Sequence, residues 1–226
     1  MSFFIKASKP EDWRLQLAEP DKQWKTGYSA KALAYGWMAA GGFPRSVKKV
    51  FQNSEYAIFK EIAFLAGFVE HKVPLPGGVR CSQNDIFVLA KTKKDIVSIA
   101  VEGKVSETFG ELVRDWQKDE SKGKKIRLKF LSDLLQLNQD DLHDIRYQLL
   151  HRTASALIEA KRFNASTALM MVHSFSPDHV WFSDYSSFAS LFGITADLNA
   201  VHFAKRIDGV NLYLAWVTGE KEYLLK

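Results

Sequence analysis

The stretch NDIFVLAKTKKDIVSIAVEGK at 84–104 constrains the fold more than any other part of this sequence. Two apolar runs flank a short polar loop, a pattern typical of a β-hairpin. Charged residues stand at the far ends of the runs, since Asp85 begins one, and Glu102 and Lys104 close the other. Because burying an unpaired charge costs several kcal/mol, these three residues require partners or a function.

The hairpin register decides whether the charges meet. Antiparallel pairing of Lys91 with Ile96 sets Asp85 opposite Glu102, with Cβ atoms ~5 Å apart. Lys104 shares the face of Glu102 because side chains alternate along a strand. Two such carboxylates repel each other unless a proton or a cation lies between them. Mg²⁺ suits the pair, since it uses one or two carboxylates with water and substrate phosphate.

Metal, water and ammonium together supply what phosphodiester hydrolysis requires, namely an activated nucleophile and a neutralised transition state. The spacing leaves an equally weighted alternative. In that interpretation, Glu102 and Lys104 emerge into solvent at the end of a strand, and Asp85 caps a turn.

Composition limits the remaining function classes. No apolar stretch approaches the ~20 residues needed to cross a bilayer, and the first residues are too polar for a secretory signal. A single cysteine, Cys81, excludes an internal disulfide framework and a cysteine-rich zinc site. We therefore expect a cytoplasmic protein without membrane association. The net charge of +5 is compatible with nucleic acid without requiring it.

Hydrophobic periodicity and turn signals predict an α/β protein with a mixed sheet. Residues 1–53 read as a helical extension packed on a core domain of residues 54–226. The first half of the sequence predicts helices at 30–40 (capped by Ser29), 46–51 and 55–67, then a strand at 69–75 and the hairpin. A helix at 109–119 follows, opened by a capping box of Thr108 and Glu111, and then short helical material at 131–137 and a long helix at 140–163. The last part predicts a strand at 167–175, a helix at 180–193 and a hairpin that turns at Asp208 and Gly209.

Asp85 followed by Glu102-Gly103-Lys104 at the end of the next strand resembles the signature of the PD-(D/E)XK nuclease superfamily, which has the restriction-endonuclease-like fold. In that fold a helix precedes a three-stranded meander, and a helix and a further strand follow, as predicted over 55–175. The residue before the first acid is often proline in the superfamily and is Asn84 here. The stretches KTGYSAKALAYGW, VEHKVPLPGG and YQLLHRTASA also resemble an uncharacterised bacterial family within it.

The resemblance implies roles for individual residues. Asp85, Glu102 and the Gly103 carbonyl would bind Mg²⁺ or Mn²⁺, and Lys104 would assist the attacking water. A further acidic ligand is implied on the preceding helix or first strand, where we favour Glu70 over Glu61. The alternative interpretation of Glu70 is a solvated glutamate at the end of a helix. The implied function is a metal-dependent nuclease acting on nucleic acid, with DNA preferred.

The long helix carries two stripes. Its apolar stripe predicts a buried face, and a polar stripe runs beside it at Gln148, Arg152, Ser155 and Glu159. Some relatives in the resembled superfamily place a Gln on such a helix near the metal, so the resemblance makes Gln148 a second catalytic candidate and Arg152 a nucleic-acid contact, with a solvated face as the default. His151, His173 and His179 are interpreted as structural.

A basic run is the candidate phosphate-backbone footprint, with a solvated loop as its alternative. Its residues are Lys122, Lys124, Lys125 and Arg127. The competing functions are an inactive nuclease-like module that binds nucleic acid or protein, and an enzyme acting on a small phosphorylated molecule. A homodimer is left open.

Overall fold

The structure is a computed structural model that describes residues 7–119 and 121–226. It has the α/β architecture that the sequence predicts, with one six-stranded mixed sheet in the order β1-β2-β3-β4-β6-β5. The strands are β1 (Ala63–Val73), β2 (Ser82–Lys91), β3 (Ile96–Lys104), β4 (Thr167–Ser174), β5 (Ala200–Ile207) and β6 (Val210–Thr218).

Helices cover both faces of this sheet. They are α1 (Glu11–Arg14), α2 (Pro20–Gln23), α3 (Ser29–Ala40), α4 (Arg45–Asn53), α5 (Ala57–Lys60), α6 (Val113–Trp116), α7 (Lys122–Leu135), α8 (Tyr147–Arg162) and α9 (Phe182–Ser190), with 3₁₀ turns at Gln139–Leu142 and Lys221–Leu225. Within the described residues, no helix is long and apolar enough to cross a membrane.

The β2–β3 hairpin has the predicted register. Its ladder runs from Lys91 opposite Ile96 to Ile86 opposite Val101. Ile86 and Val101 are buried on one face of the sheet, so alternation places Asp85 and Glu102 on the other. The turn itself is closed by Thr92 and Asp95, whose backbone and side chains hydrogen-bond to one another.

The centre of the sheet is parallel. β4 pairs in parallel with β3 and with β6, and every residue of β4 is buried. Such a strand reads as a continuous apolar run because both of its faces pack against helices. The crossover from β3 to β4 contains α8, which lies against the sheet and brings its side chains to the end of β3.

The predicted N-terminal extension packs directly on the sheet. Leu33 and Trp37 of α3 and Val47 of α4 belong to one buried cluster with Val101 and Met171 of the central strands. A second cluster, formed chiefly by α7, α8 and α9, covers the opposite face. The residues on either side of the predicted boundary at 53/54 therefore share a hydrophobic core.

The predicted helix at 55–67 is wrong for most of its length. Only Ala57–Lys60 is helical, and β1 begins at Ala63. The apolar residues of this segment have nearly helical spacing, but β1 is an edge strand whose pairing with β2 supplies the backbone hydrogen bonds. A bulge between Phe64 and Ala66 disturbs the two-residue alternation by which a strand is recognised.

The capping box predicted at Thr108 and Glu111 is also wrong. The Thr108 hydroxyl accepts a hydrogen bond from the Gly110 amide, which makes a local turn. The helix that follows is the single turn α6, which begins directly after Leu112, a residue that pairs with Arg146 in an isolated bridge. By contrast, the basic run, whose alternative was a solvated loop, forms the first part of α7, capped by Ser121.

The predicted hairpin at Asp208 and Gly209 is confirmed. Both residues have positive φ, 47° and 86°, and Ile207 pairs with Val210 directly across the turn. Positive φ at both central positions is typical of the two-residue turn whose twist matches the flanking strands.

Candidate active site

Asp85 lies on β2, one residue beyond the paired part of the hairpin, and reaches the end of β3. Its Oδ2 accepts a hydrogen bond of 2.7 Å from the backbone amide of Gly103. Burial, followed by repulsion from Glu102, raises the pKa of Asp85 to about 7. The aspartate and the Glu102-Gly103-Lys104 segment thus meet at one corner of the sheet, as the register predicted.

Glu102 is 3 % exposed and both of its oxygens are engaged. Oε1 accepts a hydrogen bond of 2.6 Å from Lys104 Nζ, and Oε2 accepts one from Arg152 Nε. Burial works to raise the pKa of Glu102, but the charges of Arg152 and Lys104 outweigh it and hold this pKa below its usual value. Glu102 is therefore the ionised centre of a buried cluster.

Two further contacts fix the end of β3. Lys104 Nζ lies 4.8 Å from the centre of the Phe109 ring, in cation–π geometry. A Cβ atom at Gly103 would lie 2.2 Å from Leu33 Cδ1, so a larger side chain would displace α3. Glycine at position 103 lets α3 pack directly against the end of β3.

Arg152 lies in this cluster instead of on a solvent-facing helix surface. Besides Glu102, its Nη1 contacts Ser82 Oγ at 3.1 Å and His151 Nδ1 at 3.2 Å. Glu159, farther along the same stripe, is also buried. The default expectation of a solvated polar stripe is thus wrong, because the stripe faces the strands of the sheet.

Glu70 and Glu61, the two candidates for an additional acid, have different surroundings. Glu70 has a φ of 50° on β1, and its carboxylate accepts a hydrogen bond of 2.5 Å from Gln83 Nε2. Burial, followed by repulsion from Asp85, raises the pKa of Glu70 to about 8. Glu61 instead lies 3.8 Å from Lys93, near the hairpin tip. The structure therefore brings Glu70, and not Glu61, to the candidate site.

These residues line one pocket of about 430 Å³. Its floor consists of strand residues, which we call the strand floor: Glu70, Gln83, Asp85, Glu102 and Lys104. Gln148 and Arg152 reach it from α8. The Oε1 atom of Gln148 is buried and has no hydrogen-bond partner within the described part of the chain. An acceptor of this kind is suited to a ligand.

The N-terminal segment forms the facing side of the pocket. We call it the N-terminal wall, and its residues are Ala18, Lys22, Gln23, Tyr28, Ser29 and Ala30. Glu107 attaches it to the end of β3, because Oε1 accepts hydrogen bonds from the Ser29 amide at 2.7 Å and hydroxyl at 3.0 Å. Oε2 accepts from the Val105 amide. Ser29 therefore holds the wall in place, whereas Tyr28 occupies the cap position of α3.

The donor chemistry of the pocket fits a hard divalent cation. Asp85 and Glu70 provide carboxylate oxygens whose charge is unfavourable without a proton or a cation, and Gln148 provides the carbonyl oxygen. Across 7–119 and 121–226, no three His, Cys, Asp or Glu side chains form a preassembled metal cluster. Glu102 contacts Arg152 and Lys104 instead, so a metal would bind mainly beside it.

The residues of the predicted basic footprint do not share one environment. Lys122 and Lys125 are exposed at the start of α7, and Lys124 pairs with Asp119 at 2.8 Å while lying 5.4 Å from the centre of the Trp116 ring. Arg127 is buried. The phosphate-contact prediction for the lysines is compatible with their exposure.

Arg127 makes structural contacts that the sequence did not indicate. Its Nε donates to the Pro76 carbonyl at 2.9 Å, and Nη2 donates to those of Leu75 and Gly78. The guanidinium thus binds the carbonyls of the β1–β2 turn, and its donors are directed away from solvent.

Of the histidines interpreted as structural, His173 is fully buried and His151 is partly buried. Trp37 Nε1 donates to His173 Nδ1 at 3.1 Å, and burial lowers the pKa of His173 to about 3. His151 Nδ1 lies 2.7 Å from Ser82 Oγ. His179 is partly exposed and has a φ of 53°.

Sequence reasoning missed several pocket residues. Gln83 precedes Asp85 by two positions on the same strand, so strand alternation was a usable signal. Ser29, Tyr28 and Glu107 gave no such signal, because they meet the site through contacts between segments 78 residues apart.

Comparison with known proteins gives one match. The sequence pattern of the family described as "Domain of unknown function (DUF6946)" covers residues 6–221, which includes both the N-terminal wall and the whole sheet. Neither a curated protein nor a solved structure matches the chain.

Proposed function

The chain belongs to the DUF6946 family, and we propose from its site that it is a divalent-metal-dependent nuclease that hydrolyses phosphodiester bonds, with DNA as the expected substrate. The observation that carries the proposal is the meeting of Asp85 with the Glu102–Lys104 pair on the strand floor. Two acids and an amine at one corner of a pocket are the groups this chemistry requires.

The order of elements supports the resemblance to the PD-(D/E)XK superfamily. The short helix α5 precedes the meander β1-β2-β3, and α8 and β4 follow. In the superfamily the second and third strands supply the acids and the lysine. Here β2 carries Asp85, and β3 carries Glu102 and Lys104.

In the proposed enzyme, Asp85 and Glu70 would hold Mg²⁺ or Mn²⁺ together with Gln148 Oε1. When bound, the ion would lower the pKa of a water and neutralise charge on the phosphate. Lys104 would donate a hydrogen bond to the attacking water and stabilise the developing negative charge. Arg152 would keep Glu102 ionised and oriented, because its Nε is bonded to Glu102 Oε2.

The direct test is cleavage of labelled DNA with Mn²⁺ or Mg²⁺ by wild type, Asp85→Asn and Lys104→Met. We expect both substitutions to abolish metal-dependent cleavage, by at least about 100-fold. Lys94→Ala, in the turn at the opposite end of the hairpin, is the matched control and should retain activity. Wild-type protein that cleaves neither DNA nor RNA with either metal would refute the proposal.

A second candidate is a binding module of the same fold without activity. One observation favours it: Arg152 and Lys104 satisfy both oxygens of Glu102 without a metal. This candidate predicts no Mn²⁺ binding by calorimetry, and nucleic-acid binding that is unchanged in Lys104→Met. The nuclease proposal predicts Mn²⁺ binding that Asp85→Asn weakens.

A further inference from the structure

The candidate catalytic groups are deeply placed. Glu102 is 3 % exposed and Lys104 is 4 % exposed, and both line the pocket through which a phosphate would approach them. Its volume of about 430 Å³ is near the lower end of the range for sites that hold one small molecule, roughly 300–1,000 Å³. A single nucleotide unit matches this volume, whereas an intact double helix is a wide and stiff cylinder that is too large for it.

The N-terminal wall restricts access further. Ser29 is bonded to Glu107 through both its amide and its hydroxyl, and Tyr35 on α3 bonds to Glu11 at 2.8 Å. The Thr26 hydroxyl donates to the Lys226 carbonyl. These contacts join the start of α3 to Glu107, α1 to α3, and Thr26 to Lys226. Opening the pocket for a duplex would require several of them to break together.

The N-terminal wall also provides an aromatic surface. Tyr28 lines the pocket, and its side chain is 39 % exposed. Lys25 Nζ lies 5.7 Å from the centre of its ring. Nucleic-acid bases stack on exposed aromatic rings of this kind, and nearby cations contact the backbone.

We propose that the pocket takes an unpaired nucleic-acid strand, whose phosphate reaches Lys104 while an adjacent base stacks on Tyr28, and that it excludes the intact duplex. This inference deepens the proposed function and rests on it for the reaction. The substrate class is inferred from the limited size of the pocket and from the Tyr28 ring on the N-terminal wall. Lys22 is exposed on the same wall, where its ammonium group pairs with Glu19 at 2.9 Å.

The test measures binding and cleavage of fluorescein-labelled DNA of equal length, either as a single strand or as a blunt duplex. Binding is measured by fluorescence polarisation with Ca²⁺, and cleavage with Mn²⁺. We expect the single strand to bind and react at least about tenfold better. Tyr28→Ala should weaken single-strand binding roughly 10- to 100-fold, since base stacking contributes about 1–3 kcal/mol. Tyr28→Phe should retain wild-type binding.

The matched control is Phe203→Ala, which removes a similarly exposed ring from β5 at the far edge of the sheet. It should leave binding unchanged. Tyr28→Ala should have the circular dichroism spectrum and the Mn²⁺ affinity of wild type, because the Tyr28 ring contacts neither Asp85 nor Glu70.

The outcomes separate the two proposals. Equal binding and cleavage of duplex and single strand, or no dependence on Tyr28, would overturn the inference and leave the nuclease proposal standing. Single-strand binding that depends on Tyr28, without cleavage by either metal, would support the strand site and contradict the nuclease. Absence of binding to both forms of DNA and to single-stranded RNA would overturn the inference.

Discussion

Two buried charged clusters lie two turns apart on α8, and one of them lines the candidate pocket. Arg152 bonds to Glu102 at the strand floor. Glu159 is 1 % exposed and lies 3.4 Å from His71 Nε2 on β1, with Arg162 at 3.3 Å from its other oxygen. Both clusters bury ionisable groups, so burial alone does not distinguish a site from a structural pair.

The two clusters differ in their balance of charge and in their access from the pocket. The Arg152 cluster has three neighbouring carboxylates for two cations, and burial with mutual repulsion raises the pKa values of Asp85 and Glu70. The His71 cluster has one carboxylate, and its imidazole stacks on Phe87 at 4.8 Å. Surplus carboxylate charge beside an accessible volume indicates a function, whereas the enclosed pair indicates stabilisation.

The largest expected effect comes from removing the shared carboxylate. Glu102→Gln leaves Arg152 and Lys104 buried without their partner and should lower the free energy of unfolding by about 3–5 kcal/mol. Glu159→Gln should cost less, about 1–3 kcal/mol, because the amide can still accept a hydrogen bond from Arg162, whose side chain is partly exposed. Urea unfolding at pH 7 measures both. An equal or larger loss in Glu159→Gln would contradict the comparison.

An intermediate effect of opposite sign is expected for Asp85→Asn. The pKa of Asp85 rises from 3.8 to about 7 on folding, so the native state holds a proton that the unfolded state releases. Wild-type stability therefore falls as pH increases through this interval, and the variant avoids that loss. With EDTA at pH 8, Asp85→Asn should be more stable by on the order of 1 kcal/mol, and at pH 4 the difference should vanish.

Mn²⁺ supplies the control for this stability gain. Saturating Mn²⁺ at pH 8 should stabilise wild type more than Asp85→Asn and reduce or reverse the gap, because a ligand of the native state adds to its stability. Thermal unfolding with and without the metal measures the change. A variant that is less stable than wild type at pH 8 in EDTA would show that the carboxylate is satisfied without a cation.

The smallest expected effect concerns the exposed lysines of α7. Lys122→Ala should lower the slope of log affinity against log salt for DNA by about 1, uniformly across sequences. Lys94→Ala, at the hairpin tip, should leave the slope unchanged. Polarisation titrations between low and moderate salt measure both variants. Identical slopes would remove α7 from the binding surface.

The predictable parts of this molecule are those set by local patterns. The hairpin register followed from the lengths of two apolar runs and their loop, and the turn at Asp208–Gly209 followed from a requirement for positive φ. The long helix followed from its stripe, although it begins at Tyr147, later than predicted. These features depend on neighbours in the chain.

The unpredicted parts depend on distant contacts. The first residues of β1 have helical spacing in sequence and form a strand because β2 offers them hydrogen bonds, whereas its end overlaps the strand predicted at 69–75. Arg127 looks like a surface cation until the β1–β2 turn presents its carbonyls. The wall residue Ser29 appears to be a helix cap and instead bonds to Glu107. In each case a tertiary contact outweighs a weaker local preference.

Because β4 lies between β3 and β6, synthesis on the ribosome leaves β3 without its neighbour until residues 105–166 have emerged. During that interval the meander presents an apolar strand edge, which is prone to pair with other chains. Arg152 also emerges well after Glu102. The nascent polypeptide should therefore need shielding until Thr167–Ser174 inserts, and the buried Arg152–Glu102 pair can form only after α8 has emerged.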